Sequence, residues 1–272
     1  MVILPLVLVT WATWAPPAPV FASAPADTLV DVGGHRLHVE VIRGDGPVAF
    51  VLESGGGADL SSWASVPESI AARTGATVVT YDRAGFGGSD LGPIDLSPPE
   101  QIEDLREALD ALGIPRPRML AGHSYGGLMV LHYAARHPDE VAGILLVDGM
   151  NPGFVDATGD FVHSTVPQIT DPANDHERAL ARLVRTFDAF VGVVAAEEPA
   201  IDVPTAVLTA GRPWWGPADA EAAWRASHEA MAAAAPNRWL VVAEGSGHDI
   251  PGARPDAIVD AAVRLLEESA GP

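Results

Sequence analysis

Short apolar runs alternate with longer amphipathic segments along most of the chain. The runs are five to seven residues long and rich in Val, Leu, Ile and Ala, which favours the buried strands of a parallel sheet. The segments between them have the three- and four-residue apolar spacing of helices. This alternation predicts an α/β fold with helices on both faces of a mostly parallel sheet. The expected parallel strands are 47–52, 77–81, 117–121, 141–147, 204–209 and 238–243.

A further pair of strands precedes these runs. Residues 28–32 and 35–43 are strand-like, and Gly33 and Gly34 between them suit a two-residue turn that joins antiparallel neighbours. We therefore expect an eight-stranded, mostly parallel sheet whose first hairpin is antiparallel.

Several helices have start or stop signals of their own. Ser97 and Glu100 have the spacing of a capping box ahead of an amphipathic run, and Gly113 is expected to end that helix. Pro255 opens a C-terminal helix with one apolar face, which we expect to pack on the sheet. Residues 151–202 contain no clear strand and one expected helix, from about 175 to 196. They are therefore expected to form an insertion after the sixth of the eight strands.

The composition narrows the chemistry. A chain of 272 residues can form one large domain, and a net charge of −20 argues against a nucleic-acid partner, because phosphate binding needs a basic surface. All 16 basic residues are arginine, which excludes a lysine Schiff base and a P-loop lysine. Cysteine is absent as well, so thiol nucleophiles, thiolate metal sites and disulfides are excluded.

Residues 1–24 have the character of a secretory leader. Residues 2–15 are apolar, and Ala22, Ser23 and Ala24 supply the small side chains of a cleavage site. This pattern predicts a secreted protein or one associated with the cell envelope; the protein would be cytoplasmic if the segment is not a true signal. No other segment is long and apolar enough to span a bilayer, so we expect no stable membrane insertion after removal of the leader.

One apolar run ends in a motif that carries chemistry. The expected strand 117–121 leads into Gly-His-Ser-Tyr-Gly, and a helical pattern follows at once. Strand, sharp turn and helix are the context of a nucleophile elbow, in which Ser124 occupies a strained backbone position between two close-packed glycines. The N-terminus of the following helix favours an oxyanion that forms beside this serine.

Four motifs in the correct order resemble those of the α/β-hydrolase fold family, and the resemblance covers roughly residues 28–270. GHSYGG resembles the nucleophile elbow, ESGGG the oxyanion loop, YDRAGFGGSD a segment after the fourth strand, and GSGHDI the loop of the catalytic histidine. In this sequence they lie at 122–127, 53–57, 81–90 and 245–250.

The resemblance implies a domain organisation and an activity. Residues 28–150 and 203–272 are expected to form the hydrolase core, and residues 151–202 a small helical cap over the active site. A serine at the elbow implies hydrolysis of a carboxylic ester or lactone through an acyl-enzyme. No metal or organic cofactor is implied, and the expected partner is a small ester-like substrate.

A serine hydroxyl needs a base, and we expect His248 to supply it, from a Gly/Ser loop after the last strand. The acid that orients this histidine has two candidates. Asp148 directly follows the strand at 141–147, at the carboxyl end of the sheet, and is preferred; Asp219 is the alternative. Glu53, by its place at a strand end, is expected to make a structural hydrogen bond.

The oxyanion donors are expected to be backbone amides, one from Tyr125 and one from the Gly-rich loop. Gly56 is preferred there, with Gly55 and Gly57 as close rivals, while Asp82 and Arg83 are interpreted as residues that fix a loop. A further set of residues is expected either to line an apolar substrate pocket or simply to pack in the core or cap. These residues are Gly55, Met150, Phe154, Phe161, Trp214 and Trp215.

Other readings of the same motifs stay open at this point. An acyltransferase would use the same three residues with an acceptor other than water, and peptidase or C–C bond hydrolase chemistry would use them on another substrate. A hydrolase-fold protein that binds without catalysis would be expected to have lost one of the three. The sequence leaves the natural substrate and the oligomeric state undetermined.

Overall fold

The computed structural model describes residues 26–158, 169–212 and 216–270. In this part of the chain eight strands form one sheet in the order β1-β2-β4-β3-β5-β6-β7-β8. The strands are β1 Ala26–Asp31, β2 Arg36–Ile42, β3 Ala49–Glu53, β4 Thr77–Tyr81, β5 Arg118–His123, β6 Val141–Val147, β7 Thr205–Ala210 and β8 Arg238–Ala243. The predicted α/β fold is confirmed, and three strands have the predicted bounds.

The first hairpin lies at one edge of the sheet. Strand β1 pairs antiparallel with β2, and Gly33 and Gly34 in the turn have φ values of 87° and 124°. Both values lie in the region that favours glycine, as a tight hairpin turn of this kind requires. Strand β2 is also antiparallel to β4, whereas every pair from β4 to β8 across the sheet is parallel.

Helices cover both faces of the sheet. Ser97 and Glu100 form the predicted capping box, and Gly113 follows the end of that helix with a φ of 63°. We number the helices α1 Val66–Thr74, α2 Pro98–Ala111, α3 Gly126–Arg136, α4 Pro152–Thr158, α5 Asp175–Glu197, α6 Ala218–Ala233, α7 Ile250–Ala253 and α8 Pro255–Ser269. None of the helices in the described ranges is long and apolar enough to cross a membrane.

The apolar side chains form one core on each face of the sheet. Val51 belongs to the core under α2, α3 and α5, while its neighbours Phe50 and Leu52 belong to the core under α1 and α8. This division follows from the strand, in which successive side chains point to opposite faces. A central strand is therefore apolar at most positions, and the sequence shows it as a largely apolar run.

The structure differs from the sequence-based expectations mainly at element ends. The strand expected at 47–52 is Ala49–Glu53, and the insertion contains a second helix, α4, that the apolar pattern did not predict. Helix α4 is only seven residues long, too short for an apolar periodicity to stand out. The leader 1–24, Phe161, Trp214 and Trp215 lie outside the described residues.

Candidate active site

Ser124 sits at the turn between β5 and α3 with a φ of 53°. This left-handed conformation is costly for a residue with a side chain, and the surrounding hydrogen bonds hold it. The Ser124 amide donates to the Val147 carbonyl at 3.3 Å, and its carbonyl accepts from the amides of Gly127 at 2.9 Å and Met150 at 2.7 Å. The serine is thus fixed by the end of β6 as well as by its own helix.

The two glycines of the elbow have no room for a side chain. A Cβ at Gly122 would lie 2.4 Å from the Gly126 carbonyl oxygen, and one at Gly126 would lie 2.4 Å from the Glu53 carbonyl oxygen. Real carbon atoms do not approach backbone this closely, so an alanine at either position would displace the turn. The glycines therefore let the strand, the serine and the helix pack against the end of β3.

Asp148 and His248 meet at the carboxyl end of the sheet. Asp148 directly follows β6, has no exposed surface and has a φ of 44°. The His248 Nδ1 atom lies 2.7 Å from Asp148 Oδ2, and a quarter of the His248 side chain is exposed (24%). Because a carboxylate only accepts, the ring proton resides on Nδ1 in the neutral imidazole, and Nε2 carries the lone pair.

The second oxygen of Asp148 accepts two further hydrogen bonds. The Ala210 amide lies 2.9 Å and the Trp224 indole nitrogen 3.0 Å from Asp148 Oδ1. Burial raises the pKa of Asp148, but the hydrogen bond from His248 and the charges and donors around it outweigh burial and bring the pKa below its ordinary value. The carboxylate is therefore ionised and held in one orientation at neutral pH.

Trp224 and His228 are site residues that the sequence analysis missed. His228 is completely buried on α6, with Nε2 2.9 Å from the Gly149 carbonyl and Nδ1 2.9 Å from the Thr209 hydroxyl. Burial lowers the pKa of His228, so a neutral ring donates from Nε2 and accepts at Nδ1. The signal was present but weak: the two residues are four apart and so share one face of a helix.

Asp219, the alternative acid, lies elsewhere. It is exposed in the first turn of α6, where its Oδ1 accepts from the Ala220 amide at 3.0 Å. This is the ordinary position of an acidic residue at a helix N-terminus. The described hydrogen bonds bring Asp148, and not Asp219, to the His248 ring.

The Gly-rich loop after β3 passes directly over the elbow. A Cβ at Gly55 would lie 3.4 Å from Ser124 Cβ, and one at Gly56 would lie 3.4 Å from Tyr125 Cβ. The Cβ position at Gly56 is also 3.7 Å from the Leu183 side chain on α5, which belongs to the insertion. The loop therefore lies between the elbow and the insertion, as the assignment of oxyanion donors to Tyr125 and Gly56 requires.

His123 links the elbow to the His248 loop. Its Nε2 lies 2.9 Å from the His248 carbonyl, and the two rings are 4.7 Å apart. Burial, and then the nearby His248, lowers the pKa of His123 to about 4. The ring is therefore neutral at physiological pH and donates from Nε2 to the carbonyl, which is a structural role.

Three of the expected pocket residues are within the described ranges: Gly55 in the Gly-rich loop, Met150 and Phe154. Met150 is half-buried, and its amide holds the Ser124 carbonyl. Phe154 is 2% exposed, and its ring packs edge-on against Trp224 with centroids 4.6 Å apart. Phe154 thus supports the tryptophan that holds Asp148.

A cluster that could hold a metal ion lies at the far edge of the sheet, within the described part of the chain. One side-chain ligand atom each from Asp27, His38 and Glu40 lies within 4.8 Å of the others. His38 already pairs with Asp27 at 2.8 Å through Nε2 and with Asp82 at 2.7 Å through Nδ1. These residues belong to the β1–β2 hairpin and not to the β5–β6 end where Ser124 lies.

The comparison with known families agrees with this geometry. A family model described as alpha/beta hydrolase fold matches residues 48–195, more than half of the chain. The chain belongs to the alpha/beta hydrolase fold family. The matched region contains the Gly-rich loop, the elbow, Asp148 and most of the insertion.

Curated relatives differ in how much of their length this hydrolase-fold chain covers. The efuK protein of Hormonema carpetanum, named as a transporter, is 31% identical over 147 residues, 51% of this chain and 20% of the relative. Protein phosphatase methylesterase 1 of Mus musculus is 32% identical over 131 residues, 47% of this chain and 34% of the relative. The chain therefore spans about a fifth and a third of these two proteins.

Other comparisons extend over most of the chain. YqjL of Bacillus subtilis, an uncharacterized protein, is 24% identical over 230 residues, 84% of this chain and 87% of the relative. The crystal structure of the enol-lactonase from Burkholderia xenovorans LB400 matches with a TM-score of 0.67 and 23% identity, covering 88% of this chain and 100% of that chain. This likeness shows a shared fold.

Proposed function

We propose that this protein is a serine hydrolase that cleaves a carboxylic ester or lactone through an acyl-enzyme. The proposal rests on one observation: the hydrogen bond between His248 and the buried Asp148, next to a serine held in a left-handed conformation. An ionised, fully desolvated carboxylate fixed by three donors orients one imidazole, which is the arrangement that general-base activation of a hydroxyl needs.

The reaction uses these groups in sequence. Ser124 Oγ attacks the ester carbonyl carbon while its proton passes to His248 Nε2, and Asp148 stabilises the imidazolium that results. The tetrahedral oxyanion accepts hydrogen bonds from the amides of Tyr125 and Gly56. The carbon–oxygen bond to the leaving alcohol then breaks, and the alcohol takes the proton from His248.

A water molecule completes the cycle. His248 Nε2 takes a proton from the water as its oxygen attacks the acyl carbon, and the ester bond to Ser124 breaks when the second oxyanion collapses. Ser124 Oγ takes the proton back from His248 as it leaves, so the products are a carboxylic acid and the regenerated hydroxyl. This sequence forms and breaks one covalent intermediate and needs no further reactant.

The substrate class draws support from the relatives. One is named a protein phosphatase methylesterase and a solved neighbour is named an enol-lactonase, and both names describe hydrolysis of an ester-type bond. Helix α5 lies beside Gly56 through Leu183. We propose residues 151–202 as the cap that closes on the substrate and residues 28–150 and 203–272 as the core.

The first prediction tests the three residues against the alternative acid. Ser124→Ala and Asp148→Asn are expected to lower kcat on p-nitrophenyl esters and simple lactones by about a thousandfold or more, because the nucleophile is lost or the wrong tautomer of His248 is favoured. Asp219→Asn is the matched control, an exposed acid changed in the same way, and is expected to keep kcat within about twofold.

Two outcomes would contradict the proposal. Loss of activity in Asp219→Asn with near-normal Asp148→Asn would overturn the assignment of the acid. Failure of a fluorophosphonate to label Ser124, read by mass spectrometry of the peptide, would overturn the assignment of the nucleophile.

A further inference from the structure

A buried ionic cluster lies directly behind the Gly-rich loop. Glu53, Tyr81 and Arg83 are each at most 3% exposed. Arg83 pairs with one carboxylate oxygen of Glu53, and the Tyr81 hydroxyl donates to the other. The arginine is thus charge-balanced inside the protein, as a buried cation must be.

Arg83 has two more hydrogen bonds, and both go to the backbone of the loop. Its Nη1 atom donates to the Ser54 carbonyl at 2.6 Å and its Nη2 atom to the Gly55 carbonyl at 2.5 Å. The planar guanidinium therefore holds two successive peptide groups with their oxygens turned toward it.

The geometry of the peptide bond converts this contact into an orientation of donors. In a trans peptide the C=O and N–H bonds of one plane point in opposite directions. When the oxygens of Ser54 and Gly55 face Arg83, the amides of Gly55 and Gly56 point away from it. Gly56 is the residue assigned as an oxyanion donor, and Gly55 is its rival.

A glycine loop needs such a restraint. Glycine populates mirror-image backbone conformations readily, so the peptides at 54–56 would otherwise exchange between orientations. A flipped peptide would present a carbonyl oxygen to the developing oxyanion, and the two negative ends would repel each other. A cation on the oxygen also polarises the peptide and makes its N–H a stronger donor.

We propose that Arg83 is a positioning residue for the oxyanion hole, which fixes the amides of Gly55 and Gly56 by holding the carbonyls of Ser54 and Gly55. This inference rests on the proposed serine-hydrolase function and goes beyond it, because the hydrogen bonds of Arg83 described above go to Glu53 and to the loop backbone. Glu53 and Tyr81 keep the cation in place and compensate its charge.

A second buried cluster of arginine, glutamate and tyrosine provides a matched control for a substitution at Arg83. Arg118 is 0% exposed, and its Nη1 atom lies 2.7 Å from the Tyr133 hydroxyl and 3.3 Å from Glu140 Oε2. It lies at the first residue of β5, the opposite end of the strand from Ser124. Arg118→Lys therefore disturbs a buried Arg–Glu–Tyr cluster without touching the Gly-rich loop.

The test compares Arg83→Lys with Arg118→Lys on a p-nitrophenyl ester. A lysine keeps the charge but has no fork that can hold two carbonyls and a carboxylate together. Both variants are expected to lower Tm, but only Arg83→Lys is expected to lower kcat, by about 10- to 1000-fold with KM changed little. Its affinity for a trifluoromethyl ketone, which forms a tetrahedral oxyanion on Ser124, is expected to fall by a similar factor.

If Arg83→Lys fails to fold, the double variant Glu53→Gln with Arg83→Met replaces it, because both charges are then removed together. An Arg83 variant with kcat within about twofold of Arg118→Lys, or with its loss in KM alone, would overturn the positioning role. Ser124→Ala separates the two levels: if it remains active the hydrolase proposal fails, and if it is inactive while Arg83→Lys resembles the control, only the inference about Arg83 fails.

Discussion

Two residues with side chains, Ser124 and Asp148, have left-handed backbones at the ends of neighbouring strands β5 and β6. Each would prefer another conformation, so the hydrogen bonds that hold them are part of the site. Their amides donate across the sheet, Ser124 to the Val147 carbonyl and Asp148 to the Leu208 carbonyl. This end of the sheet, the proposed active site, is thus constrained residue by residue before any substrate binds.

Trp224 supplies a prediction at this scale. Trp224→Phe keeps an aromatic ring against Phe154 but removes the indole donor to Asp148 Oδ1. We expect kcat to fall by about tenfold with little change in KM, because the carboxylate is less firmly oriented. The variant also removes one of the interactions that bring the pKa of Asp148 below its ordinary value.

Trp239→Phe is the control for this variant, since the Trp239 indole nitrogen has no hydrogen-bond partner within the described part of the chain. It is expected to leave kcat and KM unchanged. Equal kcat values in the Trp224 variant and wild type would show that the indole donor does not help to orient Asp148.

At the scale of elements, helix α5 is fastened to the core by Arg182. This buried side chain donates to the carbonyls of Ala84 at 2.6 Å, Leu91 at 3.0 Å and Pro93 at 2.9 Å. All three oxygens belong to the loop after β4. The insertion is therefore tied to the same loop that carries Arg83.

Arg182→Met is expected to loosen α5 without unfolding the core. Hydrogen bonds from a charged group to buried carbonyls contribute about 2 kcal/mol each to stability. In the variant the three carbonyl oxygens lose their donor, which further destabilises the packing of α5 on the loop. Amide hydrogen exchange over 175–197, followed by mass spectrometry, should become faster by at least tenfold while β5 and β6 are unchanged.

Arg185→Met is the matched control on the same helix, because Arg185 donates to the Ile94 carbonyl at 3.2 Å from an exposed position. It is expected to change the exchange rates little. Faster exchange throughout the sheet in Arg182→Met would instead mean that α5 and the core unfold as one unit.

At the scale of the whole molecule, the sequence predicted the sheet well because each central strand is buried on both faces and is therefore a largely apolar run. The ends of elements, such as those of β3, were predicted less accurately, because they depend on hydrogen bonds and not on the apolar pattern. The elbow and the loop of His248 were visible as local motifs. Trp224 and His228 were not, because their partners Asp148 and Gly149 are 76 and 79 residues away in the chain.

The net charge supports a prediction about the folded state as a whole. With a net charge of −20, repulsion between surface carboxylates opposes the compact state. Raising NaCl from about 10 mM to about 200 mM shortens the screening length from roughly 30 Å to under 10 Å. We expect Tm, measured by calorimetry at neutral pH, to rise by a few degrees.

The surface ion pairs act in the opposite direction, since salt screens them too, but exposed pairs contribute little each. Equal concentrations of KCl should give the same shift if screening is the cause. A fall in Tm with either salt would mean that attractive pairs outweigh the repulsion.

The order of strands along the chain has a consequence for how the protein becomes competent. The proposed nucleophile and acid follow β5 and β6, but the proposed base follows β8, the strand at one edge of the sheet. A nascent chain that has formed its central strands holds a serine without a base. With the proposed mechanism, turnover during synthesis or refolding begins only when that edge has been added, so regained activity reports the docking of β8.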